Sequence, residues 1–565
     1  MSLPLYQAVH RLPFLPERGI VQNDNMFYFG SVTFNIADLV EHAVDVVPER
    51  IAAICGERRV TYAELEQRAN RLAHHLAAQG VGQGSHVGVY SRNSIQAVET
   101  MLAAYKLRAV AVNVNYRYVP SELRYIFEDA DLVALVHERR DAAKVAAART
   151  EKLKHVIVVD DDSGVDYSGC EYETALGQGH PERDFEPRSP DDTYILYTGG
   201  TTGNPKGVVW RQEDVWRVLG GGIDFMTGAR IEDEWQQANT GLQYSLVRFP
   251  IPPLIHGATQ WATFQSLFSG GTVVFVPQFD AHDVWRTIEK HQAQVIMITG
   301  DAMARPMIEA LQERQYDTSC VVAIASTAAL FSPSVKDQYL AALPNVVITD
   351  SIGSSEAGFS GLSIVQKGVE HRGGPRVKID ADNTVIDENN QRVPPGVVGR
   401  LARGGHIPMG YYKDEAKTKA LFVEVDGKRY VVPGDFARVE EDGTVTLLGR
   451  GNMCVNSGGE KIFPEEVEGA LKSHPDVFDA LVIGVPDDRF GQRVAAVVQP
   501  RTGKVPTLSE LDAHARNEIA GYKVPRSLWI VDEIKRSPSG KPDYRWALAH
   551  AQEHEATEHT TVVVK

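Results

Sequence analysis

The run Thr198-Gly-Gly-Thr-Thr-Gly-Asn-Pro-Lys-Gly207 carries the densest chemistry in the chain. It directly follows the apolar segment Tyr194-Ile-Leu-Tyr197, which reads as a strand. Gly199, Gly200 and Gly203 let backbone N–H groups approach phosphate oxygens with no Cβ in the way. Thr198, Thr201 and Thr202 add hydroxyl donors, and Lys206 adds a positive charge. The chemistry implied is polyphosphate binding. The loop of ordinary NTPases is excluded, because Lys206 follows Pro205 and precedes Gly207, where a metal-binding Ser or Thr should stand.

Four further groups have the types and settings of a ligand site. Asp350-Ser-Ile-Gly-Ser-Ser-Glu356 follows the apolar run Val346–Thr349, and ligands of open α/β sheets bind beyond strand ends. Glu356 there suits Mg²⁺, which prefers oxygen ligands; the structural alternative is a helix capped by Ser354 or Ser355 with Glu356 in its first turn. Pro433-Gly-Asp435 places a carboxylate after Val431-Val432, or is simply a turn. Ser457-Gly-Gly-Glu-Lys461 precedes a helix opened by Pro464. Arg536-Ser-Pro-Ser-Gly-Lys541 ends in a lysine that, taken alone, is a solvated surface charge.

In order and wording these segments resemble the adenylate-forming superfamily of acyl-CoA synthetases, peptide-synthetase adenylation domains and luciferases. The resemblance covers roughly Asn35 to Leu548. It implies that residues 198–203 and Lys206 form the phosphate loop, and that Ser351, Ile352, Gly353, Ser354 and Ser355 line the nucleotide, with Glu356 on Mg²⁺. Ile352 replaces the family's stacking aromatic residue, so adenine would be held by apolar contact. Asp435 would accept from both ribose hydroxyls and Arg450 would reach ribose and phosphate. Asn452 stands at the family's hinge position, usually Asp or Lys. Ser457, Gly458, Gly459 and Lys461 would line the coenzyme A channel, and Lys541 would bridge the acid and the α-phosphate. ATP, Mg²⁺ and coenzyme A are the implied cofactors and co-substrates.

Pro250-Ile-Pro-Pro-Leu-Ile-His-Gly-Ala258 resembles the acyl-pocket motif, with His256, Gly257 and Ala258 lining it. No Asp or Glu occurs between Glu234 and Asp280, so no carboxylate is on hand there for a substrate ammonium. An unaminated, apolar acid is implied. Gly220, Gly221, Gly222, Ala258, Gly300 and Ala302 either leave room for a bulky chain or serve turns and packing. The wording of Thr299–Pro306, Phe331–Ser334 and Gly521–Trp529 is similar to actinobacterial fatty-acyl-CoA ligases, including those for steroid side-chain carboxylates. Two alternatives are a stand-alone enzyme that loads a carrier protein and a nucleotide-binding relative without ligase activity.

The elements that must position these groups follow from periodicity. Asn35 opens an amphipathic helix, and Thr61 with Glu64 forms a capping box. Strand–helix alternation runs from His86 to Val159 and again from Thr272 to Thr349; between Val377 and Thr446 short strands are broken by Gly and Asp. The expected fold is α/β: a large N-terminal domain of two doubly wound sheets plus a β-rich subdomain, and a small mobile C-terminal α+β lid. The expected boundaries are an extension over 1–32, the AMP-binding domain over 33–450, the lid over 451–550 and a disordered tail over 551–565.

With 565 residues the chain exceeds one compact core. A net charge of −16 argues against nucleic acid as a partner, because no basic surplus exists to neutralise phosphates. Four widely spaced cysteines with no Cys-x-x-Cys pair fit a reducing cytoplasm, and no apolar run is long enough to span a bilayer. A homodimer is left open.

Overall fold

The computed structural model describes residues 34–198, 204–224, 227–367, 376–457, 460–487, 490–536 and 540–559, and the backbone alone of Arg450, Asn452 and Lys461. The expected N-terminal extension, Gly199 to Gly203, and Gly458 with Gly459 lie outside the described residues.

Two sheets carry the α/β alternation. One has five strands, all paired in parallel, in the order Val110–Asn113, His86–Tyr90, Leu132–Glu138, His155–Val159, Cys170–Glu171. The other has eight strands: its centre is parallel, and antiparallel pairs close both edges. At one edge the early strands Ile51–Cys55 and Arg58–Thr61 join Thr272–Phe275, more than two hundred residues along the chain. Helix starts follow their caps. The Asn35 side chain accepts from the N–H of Ala37, and Ile36, Leu39, Val40 and Val44 face the core. Thr61 and Glu64 exchange hydrogen bonds as a capping box. The Tyr62 hydroxyl, fully buried, donates to the Gly271 carbonyl at 2.7 Å and ties that helix to the sheet.

A small antiparallel sheet unites Thr193–Thr198, Lys206–Arg211 and Gly410–Tyr411. A seven-stranded sheet, antiparallel in its pairings, forms the β-rich subdomain. The C-terminal part folds around a six-stranded sheet whose long hairpin pairs Val477–Asp487 with Gly491–Pro500. The chain end differs from expectation. The helix Tyr544–Glu553 runs through Ala551, and Glu558–His559 pairs with Ser527 and Leu528, so residues 551–559 close the lid sheet instead of trailing from it.

Candidate active site

The segment expected to bind phosphate is flanked by two paired antiparallel strands. Thr198 pairs with Lys206 across the strands Thr193–Thr198 and Lys206–Arg211, which fixes both ends of the glycine run. Two side chains pin those ends. Asn113 accepts from the N–H of Tyr197 and donates to its carbonyl, both at 2.8 Å; on the far side the Tyr125 hydroxyl donates to the Pro205 carbonyl at 3.0 Å. Asn113 also donates to the Ile255 carbonyl at 2.7 Å, so one amide joins the loop strand to the acyl-pocket motif. Gly257 lies so close to Leu196 that a Cβ there would meet Leu196 Cδ2 at 2.5 Å. A larger residue would push the two segments apart.

Glu356 sits on a β-turn, not in a helix. Val347–Ser354 returns antiparallel as Gly358–Val365, and the turn between them holds Ser355, Glu356 and Ala357. The helix-cap alternative is therefore set aside; Ser354 Oγ accepts from the Ala357 N–H and closes the turn. Trp210 Nε1, on the strand after the loop, donates to the Ser355 carbonyl at 3.0 Å. Tyr411, on the third strand of the loop sheet, donates its hydroxyl to Glu356 Oε1 at 3.1 Å. The Lys206 ammonium lies 5.4 Å from the centre of the Tyr411 ring. Burial and the adjacent Lys417 push Lys206 below its ordinary pKa, against the opposing charges of Asp414 and Glu356.

Ile352, Gly353, Ser354, Pro433 and Asp435 line one narrow crevice of about 10 Å³, with Arg403 in its wall. Ser351, just before them, donates through Oγ to the Ser326 carbonyl. The strands Asp435–Val439 and Val445–Arg450 pair Asp435 directly with Arg450. Two positions fifteen residues apart in sequence thus become cross-strand neighbours. The backbone of Asn452 follows in a single 3₁₀ turn, Gly451–Met453.

The lid reaches the same neighbourhood through its last loop. Gly540 has φ +73°, and a Cβ there would come within 2.9 Å of Ala302 Cβ. The loop is held by Arg536, which donates to the Gly540 carbonyl at 2.9 Å and forms a two-pronged pair with Asp479, both bonds at 2.7 Å. Lys541 itself is exposed, and its charge acts on His256. The His256 ring is only partly exposed and its Nε2 is sealed from solvent with no hydrogen-bond partner. Burial first, then the charges of Lys541 and Arg117, push its pKa down to about 3. Ser457 and Lys461 stand on a different lid element, the hairpin Val455–Ser457 and Glu460–Ile462.

The small residues serve packing. Ideal Cβ atoms on Gly220 and Gly222 would meet the Trp216 ring at 2.5 and 2.7 Å; Gly300 is pressed against the Leu330 carbonyl, and Ala302 touches the lid. Asn113, Tyr125, Trp210, Tyr411 and Arg536 are the residues sequence reasoning missed. Each acts through a partner far along the chain; Arg536 stands in the segment that ends at Lys541, but its partner Asp479 lies outside it, and the other four belong to no glycine-rich or charged signature.

Two family descriptions match the chain: AMP-binding enzyme over residues 40–412 and AMP-binding enzyme C-terminal domain over 466–541. A 3-oxocholest-4-en-26-oate–CoA ligase of Rhodococcus rhodochrous is 63% identical over 530 residues, covering 91% of this chain and 96% of that protein. A medium/long-chain-fatty-acid–CoA/3-oxocholest-4-en-26-oate–CoA ligase of Mycobacterium tuberculosis is 58% identical over 526 residues, covering 92% and 96%. Among solved structures, an anthranilate CoA ligase in complex with anthranoyl-AMP superposes with a TM-score of 0.80 at 22% identity, over 92% of this chain and 98% of that one. ATP-bound MatB from Rhodopseudomonas palustris superposes at 0.78 with 24% identity, over 92% and 99%, and these two likenesses bear on the fold alone. The loop hairpin, the glutamate turn, the aspartate–arginine strand pair and the docked lid loop thus stand in a chain that belongs to the AMP-binding enzyme family.

Proposed function

We infer that the protein is an acid–thiol ligase that activates a long-chain or bulky apolar carboxylic acid, of the fatty or steroid side-chain class, to its coenzyme A thioester. The class of acid rests on the relatives' names and on the carboxylate-free stretch from Glu234 to Asp280. The observation that carries the reaction is the approach of the Lys541 loop to Thr299, Ala302 and His256, beside the strand that opens the phosphate loop.

A carboxylate has no leaving group of its own. Its oxygen attacks the α-phosphorus of ATP, the bond from that phosphorus to the bridging oxygen breaks, and pyrophosphate leaves. Negative charge gathers at phosphorus, so cations around it lower the barrier. Lys206 serves the departing pyrophosphate and Lys541 the carboxylate and α-phosphate. Asp435 takes the ribose hydroxyls, Arg450 reaches ribose and phosphate, and Ile352 offers adenine an apolar face. Glu356 fits Mg²⁺: it is an oxygen donor on a turn held by Trp210 and Tyr411, and the ion would supply charge neutralisation at the phosphates. In the second step the coenzyme A thiol attacks the acyl carbon and AMP leaves. Lys541 then stands in the way, so the lid turns about Asn452 and offers the Ser457–Lys461 hairpin instead.

The test is a panel of acids, including linear fatty acids and 3-oxocholest-4-en-26-oate, incubated with ATP, Mg²⁺ and coenzyme A. AMP and pyrophosphate in equal amounts with a thioester are expected. ADP with phosphate overturns the mechanism, and preference for a short or aminated acid overturns the substrate class.

A further inference from the structure

Beside Lys206 the surface folds into a cleft of about 290 Å³ lined by Tyr125, Asp129, Asn204, Tyr412, Lys413, Asp414 and Lys417. That is at the lower end for a ligand site, a size for a small anion and not for a whole nucleotide. The short helix Glu415–Leu421 brings Lys417 within hydrogen-bonding reach of Lys206. Two ammonium groups so close repel each other, and an anion between them would relieve that repulsion. The acidic groups of the cleft are already engaged. Asp129 accepts from the Tyr197 hydroxyl at 2.7 Å. Asp414 caps the helix by accepting from the Lys417 N–H at 3.0 Å and pairs with Lys417 Nζ at 2.7 Å. Lys413 is turned away to the Asp129 carbonyl and to Asp131. Lys206 and Lys417, the latter also paired with Asp414, are the two cations that line the cleft side by side and can share one anion.

We propose that Lys417 is a second pyrophosphate-binding cation, and that this cleft receives the pyrophosphate expelled from ATP. The proposal rests on the AMP-forming reading above. It separates two roles that one lysine would otherwise fill. Lys206 opens the strand after the glycine run, where the triphosphate would lie, while the more exposed Lys417 would draw the leaving group outward.

Pyrophosphate exchange into ATP with an accepted acid tests it, using wild type, Lys417→Met and Lys417→Arg. Loss of one charge-assisted hydrogen bond should raise the KM for pyrophosphate about tenfold in Lys417→Met. Lys417→Arg, which keeps the charge, should recover most of the loss. The KM for the acid, the melting temperature and the rate of thioester formation from supplied acyl-adenylate should stay at wild-type values, since none involves the β- or γ-phosphate. An unchanged KM for pyrophosphate overturns the proposal. So does an equal loss in the acyl-adenylate half-reaction, which would make Lys417 only the partner of Asp414. If wild type itself exchanges no pyrophosphate, the AMP-forming reading falls, and this proposal with it.

Discussion

Burial first, and positive charges after it, decide the protonation of His256. Lys541 arrives from the lid and Arg117 from the body, while burial already disfavours an imidazolium whose Nε2 finds no acceptor. All three effects point the same way, and the pKa falls to about 3. The sign for stability follows. As pH drops through the ordinary value of 6.5, the unfolded chain takes up a proton that the folded ring refuses, so this residue costs stability increasingly down to about pH 3. A neutral ring across about pH 5 to 9 suits the proposed acyl pocket as an uncharged wall and not as a titrating base. His256→Asn is expected to change the KM for the acid while leaving the acidic limb of the kcat/KM profile where wild type has it. A shift of that limb by about half a unit or more contradicts the assignment. The contrast with Glu356 is instructive. As a candidate ligand it was legible because a carboxylate at a strand end has few uses, but its support was not, since Tyr411 and Trp210 reach it only after three strands pair.

Elements decide whether the lid's lysine is presented at all. The loop from Arg536 to Pro542 closes through an isolated antiparallel bridge between those two residues, and Arg536 spans it to the Gly540 carbonyl. Behind it Asp479 accepts both Arg536 bonds and lies 3.2 Å from Lys472 Nζ. Burial works to raise the Asp479 pKa, but Lys472 and Arg536 outweigh it and hold the carboxyl well below its ordinary value. The stability this gives is fully present above about pH 4, the unfolded value, and is lost as pH falls through the depressed folded one. Asp479→Asn leaves the buried Lys472 and the partly buried Arg536 with a weaker partner. It is expected to destabilise the lid by about 3 kcal/mol at neutral pH. The gap from wild type should narrow as the melting experiment is taken below about pH 4; a gap independent of pH would mean that Asp479 acts by shape alone. Such support is hard to read in a chain. The glycine loop, Asp435 and Lys541 stand in short local signatures, and the helices announce themselves by caps and spacing. Arg536 with Asp479, Asn113 with Tyr197 and Ile51–Cys55 with Thr272–Phe275 are matched only by packing, which no local window contains. The end of the chain erred for the same reason: its polar composition reads as tail, but the edge of Ser527–Ile530 gives its backbone a partner.

At the scale of the molecule, the contacts between lid and body among the described residues mix polar pairs with small apolar ones, Phe436 against Phe463 among them. Arg501 pairs with Glu309 at 2.7 Å, Arg305 donates to the Lys472 carbonyl at 3.1 Å, and Gly540 rests on Thr299 and Ala302. Relative motion is the default expectation for domains unless their interface is large and hydrophobic, and polar pairs hold part of this one. Lys541 and the Ser457–Lys461 hairpin sit on separate lid elements, as the proposed exchange of faces requires. The two half-reactions make opposite demands on the same space: the first needs a cation against the carboxylate, and the second needs that space for a thiol. A lid that trades faces meets both demands, and a fixed lid meets only one. Lys541→Ala is therefore expected to lower acyl-adenylate formation by about 10²-fold or more, the scale of losing one transition-state donor. Thioester formation from supplied acyl-adenylate and coenzyme A should stay within about threefold of wild type, because that step gains nothing from the lysine. Single-turnover assays of each half-reaction separate the two. Equal loss in both would mean that Lys541 serves the lid's packing or a shared intermediate, and the exchange of faces would have no role left to explain.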